Sequence, residues 1–287
     1  MVRPKRLWTE WTLAIGFLRE GRTQSLMIAI GVAVGVAVIV FITALIQGLQ
    51  SNTIERTLGT QAHIRLLAPE EVNRVHPASP GTLQLVLEDK RPQRLRSINN
   101  WQEITATLDQ LPGLSAVSPV VSGPAFVRRG EALESVALVG IDAERYQRII
   151  PLDDYMVAGE LRVGADDVLI GARLAEDLGV GRGQKLRLES GEQNGAVVNI
   201  SGILELGVRE LDERYVYMDL KQAQSLLDLP GGVTVIDLTV PDIFTADQVA
   251  DRVQRLIGLA AQSWIETNAQ MMNALTAHSL SNNMIIV

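Results

Sequence analysis

Hydrophobic and polar positions divide the chain into one long apolar segment near its start and a larger region of short, alternating patterns. No charged residue occurs from Thr23 to Ile54, and Leu26–Ile46 is apolar except for Thr43. At about 1.5 Å per residue, a helix of these 21 residues is about 31 Å long, close to the hydrocarbon thickness of a bilayer. The pattern predicts a transmembrane helix at residues 25–50.

Two alternatives for this segment are a buried core helix and a cleaved signal peptide. A core helix of this length normally has a polar stripe, and the segment has none. A signal peptide has a shorter apolar region, followed by small residues at a cleavage site, and Thr43–Asn52 has no A-x-A pattern. We therefore expect an anchor that the protein retains.

The basic residues on either side of the apolar segment predict its orientation. Five precede it, and two follow within about twenty residues, the distance over which such residues set topology. They are Arg3, Lys5, Arg6, Arg19 and Arg22 before the segment, and Arg56 and Arg65 after it. Because Lys and Arg stay preferentially on the cytoplasmic side, residues 1–24 are expected in the cytoplasm and residues 51–278 outside it.

Two further patterns concern the contacts of the anchor with lipid and with other helices. Apolar residues at spacings of three and four predict an amphipathic helix at Leu7–Glu20, with Trp8 and Trp11 among the headgroups of the inner membrane surface. An extension of the spanning helix is the alternative. Gly31 and Gly35 stand four positions apart, a spacing that lets another transmembrane helix approach closely. The same spacing also arises by chance where Gly and Ala are abundant.

Residues 51–278 carry the signals of a mixed α and β domain. Three predicted helices open on capping boxes, in which a polar residue and a Glu or Gln three positions later bond each other's backbone amides. These helices are Trp101–Leu111 after Asn100, Leu220–Asp228 after Asp219, and Ala246–Gly258 after Thr245. A fourth helix is expected at Ala261–Ala277, and Pro69–Arg96 is expected to form a loop or an exposed hairpin.

Short segments rich in Val, Ile and Tyr, bounded by Gly, Pro, Asn or Asp, predict the strands. They are Ala62–Leu67, Ala125–Arg129, Ser135–Ile141, Asp167–Ile170, Lys185–Glu189, Val197–Leu204, Arg214–Met218 and Val233–Val240. The chain closes on the apolar run Met284–Val287, which is expected to begin a second, truncated span at residues 279–287.

The sequence offers no residues for catalysis, for a cofactor or for a metal ion. Its three histidines, His63, His76 and His278, are far apart, and it has no cysteine. The motifs of zinc proteases, α/β-hydrolases and phosphate-binding loops are missing. The glycines of Gly179–Gly183 follow a helix rather than a strand, so they are expected to cap that helix and turn the chain. We expect no enzyme: catalytic residues none, cofactor-binding residues none, metal ligands none.

Net charge narrows the range of partners. From residue 51 onward there are 21 basic and 31 acidic residues, a balance that argues against nucleic acid. The acidic groups at Asp153-Asp154, Asp166-Asp167 and Glu210–Glu213 are expected to be solvated loops.

Several segments, in their order and spacing, resemble the permease subunits of the MacB/Lol/FtsX class of ABC transporters, most of all the lipoprotein-releasing (Lol-type) branch. The segments are Phe17–Arg22, Gly140-Ile-Asp142, Val168–Leu188, Tyr215–Gln224, Trp264–Leu275 and Asn283-Met284. The resemblance covers nearly the whole chain. It implies an α+β extracytoplasmic domain (an α/β subdomain with an inserted β-rich subdomain) on an all-α transmembrane anchor. The insertion is expected at about residues 145–230, with strands between Asp167 and Val240.

The resemblance also implies a function. The protein would be a permease subunit of the bacterial inner (plasma) membrane, multi-pass when complete. It would couple cytoplasmic ATP hydrolysis to motion of its periplasmic domain, for export or lipoprotein release. Its partners would be an ABC ATPase subunit, a second permease copy, the lipid bilayer, and a periplasmic carrier or membrane-fusion protein. Lol permeases that capture a lipoprotein chaperone carry a proline-bearing loop between two strands of the insertion. Here Ser190–Gly195 is short and lacks proline, which argues against direct capture.

Two other functions stay open at this point. An FtsX-like transmitter would control cell-wall hydrolases without moving cargo. An anchored extracytoplasmic sensor or binding module would need no further spans.

Overall fold

The computed structural model of the chain describes residues 22–68, 95–164, 166–191 and 194–269. The chain divides into two compact units, Met1–Glu55 and Arg56–Val287. Three predictions lie outside the described residues. They are the amphipathic helix at Leu7–Glu20, most of the loop at Pro69–Arg96, and the start of a second span at residues 279–287.

The described part of the first unit lies in a single helix, α1 (Arg22–Leu58), which continues into the second unit. Its segment Leu26–Leu45 has a mean hydropathy of 2.9, and within the described residues it is the one helix long and apolar enough to cross a membrane. Leu26 and Phe41 are each more than 60% exposed, whereas a core helix buries such side chains. A helix is therefore present where one was predicted at residues 25–50, and its apolar surface is free to face lipid.

The second unit contains strands and short helices that alternate along the chain. In chain order they are β1 (Ile64–Leu67), α2 (Trp101–Leu108), β2 (Ala116–Arg129), β3 (Ala132–Ile141), α3 (Ala143–Tyr146), β4 (Met156–Gly159), β5 (Asp167–Gly171), α4 (Ala172–Leu178), β6 (Lys185–Ser190), β7 (Asn194–Leu204), α5 (Arg209–Arg214), β8 (Tyr215–Asp219), α6 (Leu220–Leu226), β9 (Val235–Thr239), α7 (Ala246–Ile257), β10 (Ala260–Ser263) and α8 (Trp264–Thr267). Single 3₁₀ turns occur at Leu152–Tyr155 and Ile243–Thr245.

The strands that the structure describes form one mixed sheet in the order β10-β1-β9-β2-β3-β8-β5-β7-β4, and β6 pairs with both β2 and β7. Most neighbours are antiparallel, while β3 with β8 and β5 with β7 are parallel. Strands β4 to β8 all fall within residues 145–230, and β9 then returns to lie between β1 and β2. This connectivity is what an insertion produces. The fold is mixed α and β, as expected, and a separate inserted subdomain stays a prediction.

Strands β4 to β8 and the remaining strands of the sheet contribute aromatic and aliphatic side chains to one core. Tyr217 in β8 is buried, and its ring centroid lies 6.2 Å from that of Tyr146 in α3 and 6.0 Å from that of Tyr215. Ile141 in β3 and Leu169 in β5 belong to the same cluster. Burying a large side chain stabilises a fold by about 1.5–3 kcal/mol relative to leaving it exposed. The cluster therefore packs strands β4 to β8 against the rest of the sheet.

Helices begin close to the predicted positions, but not always for the predicted reason. The Asp219 carboxylate accepts hydrogen bonds from the backbone N–H groups of Lys221 and Gln222, at 3.0 and 3.4 Å, and so caps α6 as expected. Asn100 and Thr245 precede α2 and α7 but accept no such bond through their side chains. The capping boxes predicted at those two positions are therefore wrong. At Asp219 only the N-cap half of the predicted box forms, because Gln222 Oε1 has no hydrogen-bond partner in the described part of the chain.

β2 and β10 differ most from the predicted strands, and β4 (Met156–Gly159) was not predicted at all. β2 begins at Ala116, nine residues before the predicted start. Pro119 and Pro124 hide this extension because proline lacks the N–H that a sheet interior requires. β10 occupies Ala260–Ser263, where a helix was predicted to begin. Alanine favours helices, but pairing with β1 overrides that preference, and α8 starts only at Trp264.

Candidate functional site

Exposed apolar side chains gather on one face of the sheet where β3, β2, β6 and β7 lie side by side. We call this surface the outer face; its side chains are Phe126, Arg128, Leu133, Lys185, Arg187, Glu189 and Val197. Cross-strand pairing places Arg128 between Leu133 and Arg187. Arg187 pairs in turn with Val197. The side chains therefore form a continuous row across four strands.

The burial pattern shows that the outer face lies toward solvent. Phe126, Leu133 and Val197 are 46%, 48% and 55% exposed, whereas Val127 and Leu188 on the same strands are fully buried. Successive side chains of a strand point to opposite faces, so folding requires the buried set and not the exposed one. Arg128 and Arg187 lie between Leu133 and Val197 in the strand pairing, so this is a mixed apolar and basic surface rather than a continuous apolar patch. We treat it as a candidate binding surface.

The charged side chains of the outer face are held in place by ion pairs. Glu189 lies 3.3 Å from Arg128 Nη2 and 2.9 Å from Arg187 Nε. Hydrogen bonding from Arg128 holds the pKa of Glu189 below its usual value. Exposed ion pairs contribute little to stability, so their main effect is to orient the two arginines. With Lys185 the face carries three basic side chains and one acidic one, in a region where acidic residues outnumber basic ones by ten.

Helix α4 lies near one edge of the outer face. Arg129 Nη1 donates a hydrogen bond of 2.6 Å to the carbonyl oxygen of Leu178 and also bonds the carbonyl of Gly179. Gly179 ends α4 with a φ of +59°, and the N–H of Val180 donates to the carbonyl of Ala175 at 2.9 Å. This is the glycine helix cap that the sequence predicts.

The β6–β7 connection at the end of the outer face is short. Ser190 pairs with Asn194, so three residues join the two strands, and Gly191 has a φ of +65° that suits a tight turn. The expected short Ser190–Gly195 connection is confirmed. An extended loop is therefore not available here to hold a partner, and the flat strand surface is what remains.

The first and last strands that the structure describes in the second unit are neighbours. β1 pairs with β10, and the N–H of Trp264 donates to the carbonyl of His63 at 2.9 Å. The N–H of Val240 donates to Nδ1 of His63 at 3.1 Å. The Tyr155 hydroxyl bonds the carbonyl of Gly59 at 3.3 Å. These contacts anchor the segment that follows α1 to the body of the sheet.

The histidines and acidic residues that could serve in catalysis or metal binding do not lie together in one site within the described residues. His63 serves the backbone contact above, and burial lowers its pKa; His76 and His278 lie outside the described residues. Within the described ranges no three His, Cys, Asp or Glu side chains could hold a metal ion together. Two acidic residues are exceptions to the predicted solvated loops. Asp212 is buried, and its two oxygens accept backbone hydrogen bonds. Asp167 begins β5, its side chain is 19% exposed, and it accepts a hydrogen bond from Asn199 Nδ2 at 2.9 Å.

Two relatives with curated functions match about half of the chain. The lipoprotein-releasing system transmembrane protein LolE of Haemophilus influenzae is 26% identical over 162 residues, which is 52% of this chain and 39% of that protein. The lipoprotein-releasing system transmembrane protein LolC of Neisseria meningitidis is 26% identical over 155 residues, which is 50% of this chain and 37% of that protein. The matched segments span about two fifths of the length of these relatives.

Solved structures of extracytoplasmic regions are also similar. The periplasmic region of MacB from Actinobacillus actinomycetemcomitans has a TM-score of 0.48 and 13% identity, covering 76% of this chain and 95% of that one. The extracellular domain of the ABC-type transporter YknZ from Gram-positive bacteria has a TM-score of 0.44 and 16% identity, covering 58% of this chain and 89% of that one.

Most of the chain, including the apolar helix and nearly all of the sheet, matches one protein family. The model of the MacB-like periplasmic core domain matches residues 25–256. The resemblance to permeases of the MacB and Lol type, inferred from the sequence motifs, is confirmed. The chain belongs to the MacB-like periplasmic core domain family.

Proposed function

We propose that this chain is part of a permease subunit of an ABC transporter, which couples cytoplasmic ATP hydrolysis to motion of its periplasmic domain for export or lipoprotein release. The main support for the proposal is the family match over residues 25–256, which includes both the apolar helix and most of the sheet in one continuous segment. The lipoprotein-releasing names of two relatives support the transport role. A sensor that needs no transporter partners has no such support.

The long helix α1 is suited to pass motion along the chain. Its 37 residues make a helix about 55 Å long at about 1.5 Å per residue. The helix continues beyond Leu45, the end of the apolar segment, to Leu58. β1 begins at Ile64, so the link between helix and sheet is only five residues long. A short link that is itself bonded to the sheet leaves little slack, and a displacement of α1 is therefore transmitted to β1.

The energy for that motion comes from a partner. The sequence has no phosphate-binding loop with its lysine, which ATP hydrolysis requires. The working assembly contains an ABC ATPase subunit and a second permease copy in the inner membrane, with residues 51–278 in the periplasm. The complete permease crosses the membrane several times.

The outer face is the surface that we assign to a periplasmic carrier, a membrane-fusion protein or the cargo. Phe126, Leu133 and Val197 supply exposed apolar area, and the basic side chains around them favour an acidic partner. The short β6–β7 connection means that binding would use the strand surface rather than a projecting loop.

The coupling role is tested by loosening the link between α1 and β1. Inserting four Gly-Ser residues after Gly59 in the complete permease, assembled with its ATPase in vesicles, should lower cargo release or export by about tenfold or more. A flexible Gly-Ser segment between α1 and β1 would let α1 move without displacing β1. ATP hydrolysis by the partner should persist, because the insertion is far along the chain from any cytoplasmic contact.

The matched control places the same insertion after Gly113, a turn residue with φ of +101° and open space around it. That variant should transport normally. If the Gly59 insertion transports as well as the control, motion of the periplasmic domain is not driven through α1, and the proposed mechanism is wrong.

A further inference from the structure

A polar row crosses the otherwise apolar sheet at β1, β9 and β2. Asp237 in β9 lies between Arg65 of β1 and Ser118 of β2 in the strand pairing. Cross-strand partners share a face, so these side chains lie side by side. Thr239, two residues along β9, is on the same face. Asp237 and Thr239 are each 6% exposed, and Ser118 is fully buried.

Buried oxygen atoms of this row lack hydrogen-bond partners in the described part of the chain. They are Asp237 Oδ1, Ser118 Oγ and Thr239 Oγ1. Arg65 Nε lies 3.4 Å from Asp237 Oδ1, too far for a strong hydrogen bond, and half of the Arg65 side chain is exposed. Arg65 therefore compensates the carboxylate mainly by its charge, and the cost of removing that carboxylate from water is only partly offset.

Other titratable groups near this carboxylate add no second positive charge in the described region. Tyr146 of α3 and Tyr217 of β8 are buried; burial is the main reason that the pKa of each is raised, and the carboxylate adds to the effect. Tyr215 also acts on both, and Asp212 of α5 acts on Tyr217. His63, at the start of β1, accepts a hydrogen bond through Nδ1, and burial lowers its pKa. Arg65 is therefore the one cation that acts on this carboxylate in the described region.

The protonation state of Asp237 determines whether the polar row contains a buried negative charge. Burial raises the pKa of Asp237 to about 6, although Arg65 opposes the shift. When the strand opens to water, the carboxyl returns to its ordinary pKa of about 4. The closed form therefore binds the proton more tightly, and the free energy of opening falls as the pH rises from about 4 to about 6. In mild acid the carboxyl is neutral, and the cost of keeping a carboxylate charge away from water is removed.

We propose that Asp237, Arg65, Ser118 and Thr239 form a proton-responsive joint that sets how firmly β1, the strand following α1, is held in the sheet. With Asp237 neutral, the row contains no buried carboxylate charge, and β1 stays closed. With Asp237 ionised, opening β1 hydrates the carboxylate, so the strand opens more often. The joint depends on the sheet alone and does not rest on the proposed transport function.

Hydrogen–deuterium exchange of the full chain in lipid nanodiscs tests this joint. Protection factors of the β1 peptide, corrected for the intrinsic pH dependence of amide exchange, report the opening of that strand. Between pH 5 and pH 8 the protection of Ile64–Leu67 should fall by about tenfold, which is the part of the response to a pKa difference of about two units that lies above pH 5. In Asp237→Asn the protection should stay high and independent of pH.

Two further variants keep the test decisive. Asp251→Asn removes an exposed carboxylate from α7 and should retain the wild-type pH response. Arg65→Gln removes the opposing charge, so the midpoint of the response should move to higher pH, and this variant decides the question if Asp237→Asn does not fold. A pH-independent wild-type protein, or an Asp237→Asn protein that keeps the response, would overturn the proposal and leave Asp237 as part of a static ion pair.

Discussion

Asp212 shows how a single buried carboxylate can organise a turn. Its oxygens accept hydrogen bonds from the backbone N–H groups of Leu206 at 2.7 Å and Gly207 at 3.1 Å. The sequence places it in an acidic run, Glu210–Glu213, which predicts a solvated loop. That prediction is wrong for Asp212 because the helix α5 turns this one side chain inward while Glu210 stays exposed.

Replacing Asp212 with alanine should destabilise the second unit by about 2–4 kcal/mol, because two backbone donors lose their acceptor and one of them is buried. Chemical denaturation of the detergent-solubilised chain, followed by tryptophan fluorescence, measures the change. Glu210→Ala is the control and should stay within about 0.5 kcal/mol of the wild type. Equal effects of the two substitutions would show that the Asp212 cap contributes nothing.

Two more residues mark the limits of local sequence signals. Ser263 accepts a hydrogen bond from the N–H of Glu266 at 3.1 Å and caps α8. Its S-x-x-E spacing is a capping-box signal that predicts a helix start at Trp264, so this start was available from the sequence. Gly171 has no such signal. A Cβ there would clash with the carbonyl oxygen of Asp212, a contact that exists only after β5 and α5 have packed.

At the scale of elements, the outer face depends on how four strands align. β3 and β2 form a hairpin, as do β6 and β7, and pairing of β2 with β6 joins the two hairpins into one surface. Alternation within each strand predicts which side chains point outward. The pairing of β2 with β6 across about sixty residues of chain decides that they share a surface.

Replacing Phe126 and Leu133 by serine should weaken cargo or carrier transfer by about tenfold while leaving stability nearly unchanged, because both side chains are already half exposed. Transfer assays with the complete transporter and thermal unfolding of the same preparations measure the two effects.

The matched control is Leu256→Ser on α7, which removes a similarly exposed apolar side chain away from this surface. It should leave transfer intact. Loss of stability in the double variant, or equal loss of transfer in the control, would contradict a binding role for the outer face.

At the scale of the whole molecule, the orientation across the membrane rests on the charges beside α1. The basic excess before the apolar segment predicts that residues 51–278 are periplasmic. Alkaline phosphatase fused after residue 150 should be active, and a fluorescent protein fused at the same position should be dark. A fluorescent fusion with an inactive phosphatase would reverse the orientation and remove the basis of the proposed coupling.

Local patterns in the sequence were sufficient for the apolar helix, the mixed α and β character and most strand positions, because each depends on periodicity within a few residues. The cap at Asp219 and the Gly179 turn were predictable for the same reason. Family motifs then indicated a permease, which the match over residues 25–256 supports.

Tertiary structure alone decided which distant segments meet. It made Ala260–Ser263 a strand, because pairing with β1 outweighs the helix preference of alanine. It also placed Asp237 between Arg65 and Ser118, three residues that are far apart in the chain. No local pattern shows that this aspartate is buried, since burial depends on the strands that flank β9. For the same reason a raised pKa, and a response to protons, arises only once the sheet has formed.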